Sequence, residues 1–257
     1  MKLKWKTDRF INIGKYKIPV FIDEKTLNKG IVFIRKDSKF IFFIKKLLWP
    51  VFKYLSDFFI DGFIEKGVGR WLKKSLDKKS IFLDIGCGNT RLSNYLKNNI
   101  IYNAIDLSLS EFHLLRVMKK KNSNICFASA NKIPIESNSV SIVTSTECFQ
   151  HIQNFNQAID EIYRILKPGA ILICTNSNPY AFKYDQKGPH EGVYNKWTNS
   201  EFIEFMKSKN FKLIDNYMKG YWVPLPKWLN KISIQLPISS KKENLNTCFF
   251  YKLEVIK

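Results

Sequence analysis

Apolar residues in this chain change their spacing at about residue 80. From residue 81 onward, short apolar runs alternate with segments whose apolar positions recur every three or four residues, which are the patterns of buried strands and amphipathic helices. This alternation predicts an α/β domain over residues 81–257, built from parallel βαβ units with helices on both faces of one sheet. The predicted helices are residues 90–98, 109–121, 153–166 and 199–209, and the last two strands are residues 211–218 and 248–256.

The segment before residue 81 has a different pattern. Residues 1–38 form a short, strand-rich lead-in, and residues 39–80 form an amphipathic helical cap. One face of the cap is apolar and carries Ile44, Leu48, Val51, Leu55 and Phe59. Another face carries Lys39, Lys46 and Lys53, which are spaced seven residues apart. Its charges and Pro50 argue against a membrane span. Two interpretations stay open: a helix that packs on the α/β core, or an interfacial helix that lies on an anionic bilayer.

Two connections within the α/β domain are unusually long. Residues 177–198 follow the fifth predicted strand, and residues 219–247, which begin with an aromatic and proline-rich stretch, separate the last two. Long loops in a compact domain tend to be lids or binding loops. Both insertions are therefore expected to lie beside a ligand at the carboxyl edge of the sheet.

The chain is strongly basic, most of all in its first third. The formal net charge is +20, and residues 1–80 carry 20 Lys and Arg against 8 Asp and Glu. Such a surface attracts anionic lipid or nucleic acid, although a coding bias toward Lys, Asn and Ile explains it equally well. The five cysteines are isolated, without a metal-ligand or disulfide spacing. With no secretory signal pattern at the N-terminus, a cytoplasmic protein is expected, peripheral at the membrane if the basic surface is functional.

The segment most informative about function is residues 81–92, Ile-Phe-Leu-Asp-Ile-Gly-Cys-Gly-Asn-Thr-Arg-Leu. A buried strand carries Asp84 near its end and is followed by Gly86 and Gly88, whose missing side chains let a ligand approach the backbone. Thr90 stands where a dinucleotide site would have its third glycine. An acidic residue beside the turn suits a cationic amine better than a pyrophosphate.

This segment resembles motif I of the class I S-adenosylmethionine-dependent methyltransferases. The resemblance continues in order, with an acidic second strand end at Asp106, a third strand beginning at Cys126, a fourth at residues 140–146, and the helix-to-strand junction Glu161–Gly169. The junction is typical of the small-molecule branch, methyltransferase type 11. The family implies a Rossmann-like fold with a seven-stranded, mostly parallel sheet and an antiparallel last strand. Residues 17–24 are similar to the end of a zinc-ribbon module that precedes some bacterial methyltransferases, here without its cysteines.

The resemblance implies S-adenosyl-L-methionine as the cofactor, and no metal. Asp84 would orient the methionine amine, directly or through water, and Asp106 would hold the ribose hydroxyls, since a carboxylate accepts two hydrogen bonds at once. Ser129 stands where the family usually has an adenine-binding Asp. The predicted cofactor-binding residues are Asp84, Gly86, Cys87, Gly88, Asp106, Leu107, Ser129, Ala130, Asn131 and Thr146.

The acceptor side offers two histidines as candidate catalytic bases. His151 follows the fourth predicted strand, and His190 lies in the first long insertion. For each, a structural histidine is an equal alternative.

The sequence therefore predicts methyl transfer to a small-molecule, lipid-linked or glycan-linked acceptor. A tRNA methyltransferase is one rival, because the Gly-Cys-Gly-Asn turn at residues 86–89 is similar to that of wobble-uridine enzymes and the charge suits RNA. A protein-lysine methyltransferase is another, and a non-catalytic protein that binds a membrane or a partner is the third. Contact with an anionic membrane is favoured over nucleic acid.

Overall fold

The structure is a computed structural model that describes residues 2–13, 15–22, 34–35, 38–40, 43–44, 46–48, 62–120, 122–181, 193–222 and 235–257. Part of the predicted cap helix, including Val51, Leu55 and Phe59, lies outside the described residues, as do His190 and most of the aromatic stretch in the second insertion. Among the described residues, no helix combines the length and the hydropathy needed to cross a membrane.

Strands and helices alternate through most of the described chain. The strands are β1 Phe10–Ile13, β2 Tyr16–Phe21, β3 Ile34–Arg35, β4 Phe82–Ile85, β5 Tyr102–Asp106, β6 Leu109–Ser110, β7 Ser123–Ala128, β8 Val140–Thr146, β9 Leu166–Ser177, β10 Phe211–Trp222, β11 Gln235–Leu236 and β12 Asn246–Val255. Four α-helices have both ends within the described residues: α1 Gly62–Ser75, α2 Glu111–Met118, α3 Phe155–Ile165 and α4 Asn199–Ser208. Residues 39–40, 43–44 and 46–48 are also helical.

One sheet organises the molecule. Its strands lie in the order β1-β2-β7-β5-β4-β8-β9-β12-β10-β11. The seven central strands are the predicted Rossmann-like set, parallel except for β12, which pairs antiparallel with both β9 and β10. The predicted α/β fold with an antiparallel last strand is therefore confirmed. Short strands β1 and β2 extend one edge, and β11 extends the other.

Two apolar layers cover the sheet. One contains α3 and α4, with Phe149, Phe155 and Phe202 buried against β8, β9 and β12. The other contains α1, whose Val68 and Leu72 are fully buried against Phe250 and its neighbours. Burial on both faces explains why the central strands read as continuous apolar runs.

The helix predicted at residues 90–98 is wrong in extent. Only a 3₁₀ turn, Arg91–Asn94, forms there. Thr90 precedes it in a left-handed conformation with φ of 58°, which is unfavourable for a β-branched residue and does not lead directly into an α-helix. The Arg116 guanidinium holds this turn by donating to Thr90 Oγ1 and to the Asn89 carbonyl oxygen, at 3.1 and 2.9 Å.

The N-terminal segment is joined to the sheet. Strand β2 pairs in parallel with β7, placing Val20 opposite Phe127. Leu3 lies in the core and its backbone N–H donates to Asn103 Oδ1 at 2.9 Å. The division of the chain at residue 38 stays a prediction, but residues 2–22 are part of the same sheet and core.

Candidate cofactor and acceptor site

A cavity of about 910 Å³ opens at the carboxyl ends of the parallel strands. Its size suits a nucleoside-sized ligand together with a small acceptor, because ligand pockets commonly measure 300 to about 1,000 Å³. Four strands contribute through the residues at or after their last positions: β4, β5, β7 and β8. The predicted residues on its wall are Gly86, Gly88, Asp106, Leu107, Ser129, Ala130, Asn131 and His151.

The turn after β4 needs both of its glycines, for different reasons. Gly86 has φ of +68°, and a Cβ there would lie 2.2 Å from the Sγ atom of Cys148. Gly88 has φ of +44°, but a Cβ there would have no atom closer than 3.9 Å. Thus Gly86 permits close packing inside the domain, whereas Gly88 leaves open the space that a ligand could fill.

Asp106, at the end of β5, is the acidic group best placed on the cavity wall. One carboxylate oxygen accepts the Gly88 N–H at 2.8 Å, and the other accepts the Ser108 N–H at 3.0 Å. Two backbone donors therefore fix the orientation of the carboxylate. Each oxygen can accept a further hydrogen bond, which is the geometry that a pair of ribose hydroxyls requires.

The loop after β7 forms the next part of the wall. Ser129 Oγ accepts the Asn131 N–H at 3.2 Å and donates to Asn131 Oδ1 at 3.3 Å. The Asn131 amide also donates to the Asn154 carbonyl oxygen at 2.6 Å, which ties this loop to the start of α3. Ser129 and Asn131, two of the predicted cofactor-binding residues, are thus held in one hydrogen-bonded turn on the wall.

Three predicted cofactor residues do not line the cavity: Asp84, Cys87 and Thr146. The Asp84 carboxylate is 1% exposed and accepts hydrogen bonds from the hydroxyl groups of Tyr102, at 2.6 Å, and Thr144, at 2.8 Å. Burial raises the pKa of Asp84 to about 7. Its carboxylate is therefore used inside the sheet, supporting the strands that carry the glycine turn.

The two predicted catalytic histidines have different outcomes. His151 is exposed and lies on the cavity wall, at the end of the 3₁₀ turn Phe149–His151. His190 lies outside the described residues. Its role stays a prediction.

Glu147 is a cavity residue that the sequence reasoning missed. Its backbone has φ of +50°, and its N–H donates to Thr175 Oγ1 at 3.0 Å. Its carboxylate accepts hydrogen bonds from the Thr175 hydroxyl at 3.0 Å, from Gln150 Nε2 at 3.4 Å, from the Cys248 thiol at 3.2 Å and from the Ser177 hydroxyl. The sequence feature that could have identified Glu147 is its position directly after β8, at the edge of the sheet where ligands bind.

The described end of the first insertion, residues 193–198, borders one side of the cavity. Tyr194 lines the cavity, and its backbone N–H donates to the Gln150 carbonyl oxygen at 2.8 Å. The Asn195 amide donates to the carbonyl oxygens of Phe149, at 3.0 Å, and Ile152, at 2.6 Å. These bonds fix residues 194–195 on the 3₁₀ turn that carries His151.

The cavity therefore has two chemically different regions. The region from the glycine turn to Asn131 offers open backbone, a fixed carboxylate and a polar loop, which fit the amino acid, ribose and adenine parts of S-adenosyl-L-methionine. The region around Glu147, His151 and Tyr194 offers a carboxylate, an imidazole and a phenol, which can orient an acceptor and take its proton.

The chain is similar to known methyltransferases over the same residues. Residues 83–174 match the family described as "Methyltransferase domain". An uncharacterised methyltransferase of Schizosaccharomyces pombe is 34% identical over 132 residues, which cover 46% of this chain and 50% of the relative. Malonyl-[acyl-carrier protein] O-methyltransferase of Paenibacillus sp. is 28% identical, covering 39% of this chain and 40% of the relative.

A third relative is the tRNA N(3)-methylcytidine methyltransferase trm140 of S. pombe, which is 27% identical and aligned over 56% of this chain and 55% of the relative. The chain thus spans about half the length of the curated relatives it matches. Among solved structures, a putative methyltransferase from Bacillus halodurans has a TM-score of 0.58 at 14% identity, covering 75% of this chain and 100% of that one. The sheet order, the cavity and the matched residues agree: residues 83–174 match a methyltransferase domain, and the fold around them is that of the class I S-adenosylmethionine-dependent methyltransferases, whose cofactor is S-adenosyl-L-methionine.

Proposed function

We propose that this protein transfers the methyl group of S-adenosyl-L-methionine to a small-molecule, lipid-linked or glycan-linked acceptor. The observation that carries the proposal is the placement of Asp106, whose carboxylate is fixed by the Gly88 and Ser108 backbone N–H groups on the wall of the 910 Å³ cavity. The same cavity extends to Glu147 and His151, so a cofactor and an acceptor can occupy it side by side.

The roles of the cofactor-side residues follow from their positions. Asp106 accepts hydrogen bonds from the ribose hydroxyls, the loop from Ser129 to Asn131 contacts the adenine, and the open backbone at Gly88 admits the amino acid part. When bound, the cofactor supplies an electrophilic methyl group on a sulfonium. Because Asp84 is occupied by Tyr102 and Thr144, its contribution is to hold the glycine turn in place.

The acceptor-side residues align the nucleophile and receive its proton. Methyl transfer is an in-line displacement, so positioning and exclusion of water supply most of the acceleration. Glu147 is held rigidly by its hydrogen bonds from β9 and β12, whereas His151 is exposed. In this proposal Glu147 orients the acceptor, and His151 is the candidate base that exchanges the proton with solvent.

The decisive experiment is calorimetric titration of S-adenosyl-L-methionine and S-adenosylhomocysteine into wild type and Asp106→Asn. Loss of one charged acceptor for the ribose should weaken both ligands at least about tenfold, since a hydrogen bond to a charged group contributes about 1.5–3 kcal/mol. Asp160→Asn is the matched control, because Asp160 is an exposed helix residue paired only with Lys209 in the described contacts. Radiolabelled methyl transfer to small amines, hydroxy acids, lipid extracts, tRNA and histones would then identify the acceptor class.

The outcomes separate the alternatives. Absence of binding to well-folded wild type would overturn the enzymatic proposal and favour the non-catalytic alternative. Equal weakening in Asp106→Asn and Asp160→Asn would remove Asp106 from the ribose site.

A tRNA acceptor is the second candidate, supported by the charge of +20 and by the similarity to a tRNA methyltransferase. Affinity for tRNA should then fall steeply with salt, because each phosphate contact releases a counterion. Methylation of lipid extract but not of tRNA would decide against it.

A further inference from the structure

Exposed apolar side chains lie on the helical residues 39–40, 43–44 and 46–48. Phe40 is 73% exposed, Phe43 59% and Leu47 60%, while Ile44 and Leu48 are half-buried. The three exposed positions are three and four residues apart, which is the spacing of side chains that share one helix face. Single exposed apolar side chains are common on protein surfaces, but several that lie together indicate an interaction surface.

The charge of this segment indicates what it contacts. Residues 38–48 contain three lysines and no acidic residue, and the described Lys39 and Lys46 are both exposed. A basic helix with an aromatic and aliphatic face has the composition of helices that lie in the interface of an anionic bilayer. A second copy of the chain is a poorer occupant, because the apposed segments would place like charges together.

The position of the segment links it to the cavity. Strand β3 pairs with β6, with Ile34 opposite Leu109 and Arg35 opposite Ser110. Strand β6 directly follows Leu107 and Ser108, which line the cavity. Ser38 is three residues after Arg35, a distance of at most about 11 Å. Ser38 therefore lies within about 11 Å of a strand pair that borders the cavity.

We propose that residues 38–48 dock the protein on an anionic lipid surface, with Phe40, Phe43 and Leu47 inserted among the acyl chains and Lys39 and Lys46 near the headgroups. The docked protein presents its cavity rim to the membrane. The consequence for the acceptor, which rests on the proposed methyl transfer, is that the acceptor is a lipid or is anchored in one. The docking itself does not depend on catalysis.

The test is co-sedimentation of the full chain with vesicles of phosphatidylcholine alone and of phosphatidylcholine mixed with phosphatidylglycerol. Wild type should bind the mixed vesicles and bind the neutral ones much more weakly. The variant Phe40→Ser/Phe43→Ser/Leu47→Ser should lose at least about tenfold in vesicle affinity, because three apolar side chains no longer enter the bilayer. The matched control is Ile214→Ser/Ile238→Ser/Ile256→Ser, which removes three comparably exposed apolar side chains elsewhere.

A charge variant tests the second component. Lys39→Glu/Lys46→Glu should weaken binding to the mixed vesicles and reduce its salt dependence. The control Lys207→Glu/Lys242→Glu changes two exposed lysines outside the segment and should bind more tightly than Lys39→Glu/Lys46→Glu.

Three results would overturn the docking proposal. They are equal binding to neutral and anionic vesicles, wild-type binding by the triple serine variant, and a wild-type dimer in light scattering that the triple variant converts to monomer. Titration with S-adenosylhomocysteine keeps the two proposals apart. Intact cofactor binding without vesicle binding contradicts only the docking, and vesicle binding without cofactor binding contradicts only the proposed methyl transfer.

Discussion

At the scale of single residues, similar side chains have different roles because their surroundings differ. Asp84 and Asp106 both lie near the ends of neighbouring strands, but Asp84 is enclosed by Tyr102 and Thr144 while Asp106 lies on the cavity wall. Burial disfavours the charged form of the first. The second is held in one orientation by two backbone N–H donors.

Asp84 should make the stability of the protein depend on pH. Burial raises its pKa from 3.8 to about 7, so the native state retains a proton that the unfolded state releases. The free energy of unfolding should therefore fall as pH rises from about 4 to about 7, and this contribution should level off above pH 7. Urea unfolding of wild type and Asp84→Asn at a series of pH values measures it as a difference between the two proteins. A difference that stays constant from pH 4 to pH 7 would contradict the prediction.

The two glycines of the turn should separate folding from binding. Gly86→Ala should be strongly destabilising, because its Cβ would lie 2.2 Å from Cys148 Sγ. Gly88→Ala should cost only about 1–2 kcal/mol of left-handed strain, yet it should weaken cofactor binding because its methyl group enters open space. Thermal unfolding and cofactor titration of both variants measure the two effects. Unchanged cofactor affinity in a folded Gly88→Ala would show that the cofactor does not approach this part of the backbone.

At the scale of secondary-structure elements, the site is assembled by contacts between short segments. The 3₁₀ turn Phe149–His151 carries a candidate base, and residues 194–195 are fixed on it by four hydrogen bonds. The end of β8 is fixed in turn by β9 and β12 through the Glu147 hydrogen bonds. Each group on the acceptor side thus depends on an element distant in sequence.

Asn195→Ala should loosen the acceptor side and leave the cofactor side intact. It removes two hydrogen bonds, to the carbonyl oxygens of Phe149 and Ile152, each contributing about 1 kcal/mol. The Tyr194 and residue-195 amides, which donate to the Gln150 carbonyl oxygen, should exchange with solvent faster. Hydrogen exchange followed by mass spectrometry measures this. Lys196→Ala, an exposed neighbour, should exchange at the wild-type rate; equal acceleration in both variants would refute the anchoring role.

At the scale of the whole molecule, the N-terminal residues and the methyltransferase domain share one sheet and one core. Asn124 connects them: its amide donates to the Leu3 carbonyl oxygen at 3.0 Å and to Asn103 Oδ1 at 2.7 Å, and its Oδ1 accepts the Trp5 indole N–H at 2.9 Å. These are buried or partly buried polar groups, for which loss of a partner is costly.

Asn124→Ala should therefore lower the midpoint of thermal unfolding, with a loss of about 2 kcal/mol or more. It removes the hydrogen-bond partner that Asn124 provides to the Leu3 carbonyl oxygen, to Asn103 Oδ1 and to the Trp5 indole N–H. Asn156→Ala, at an exposed position in α3, should leave the midpoint within about 0.5 kcal/mol of wild type. If Asn124→Ala unfolded like wild type, the N-terminal segment would contribute little to the stability of the domain.

The pattern of apolar runs and the motifs at residues 81–176 were sufficient for the α/β class, the strand succession and the acidic strand end at Asp106. These features depend on local periodicity and on chemistry next to one strand end, which a sequence displays directly.

The sequence pattern could not exclude the helix predicted at residues 90–98. That helix does not form because the backbone of Thr90 adopts a left-handed conformation. Nor could the enclosure of Asp84 be foreseen, since Tyr102 and Thr144 come from neighbouring strands. The position of the Glu147 side chain at the site could not be foreseen either, because its carboxylate is held by donors from β9 and β12 that lie up to 101 positions away in the sequence. Local physics thus determined the elements, and the resemblance of the motifs to a known family indicated the cofactor. Long-range packing decided which polar groups face the cavity and which are enclosed in the core, because those contacts join residues far apart in the sequence.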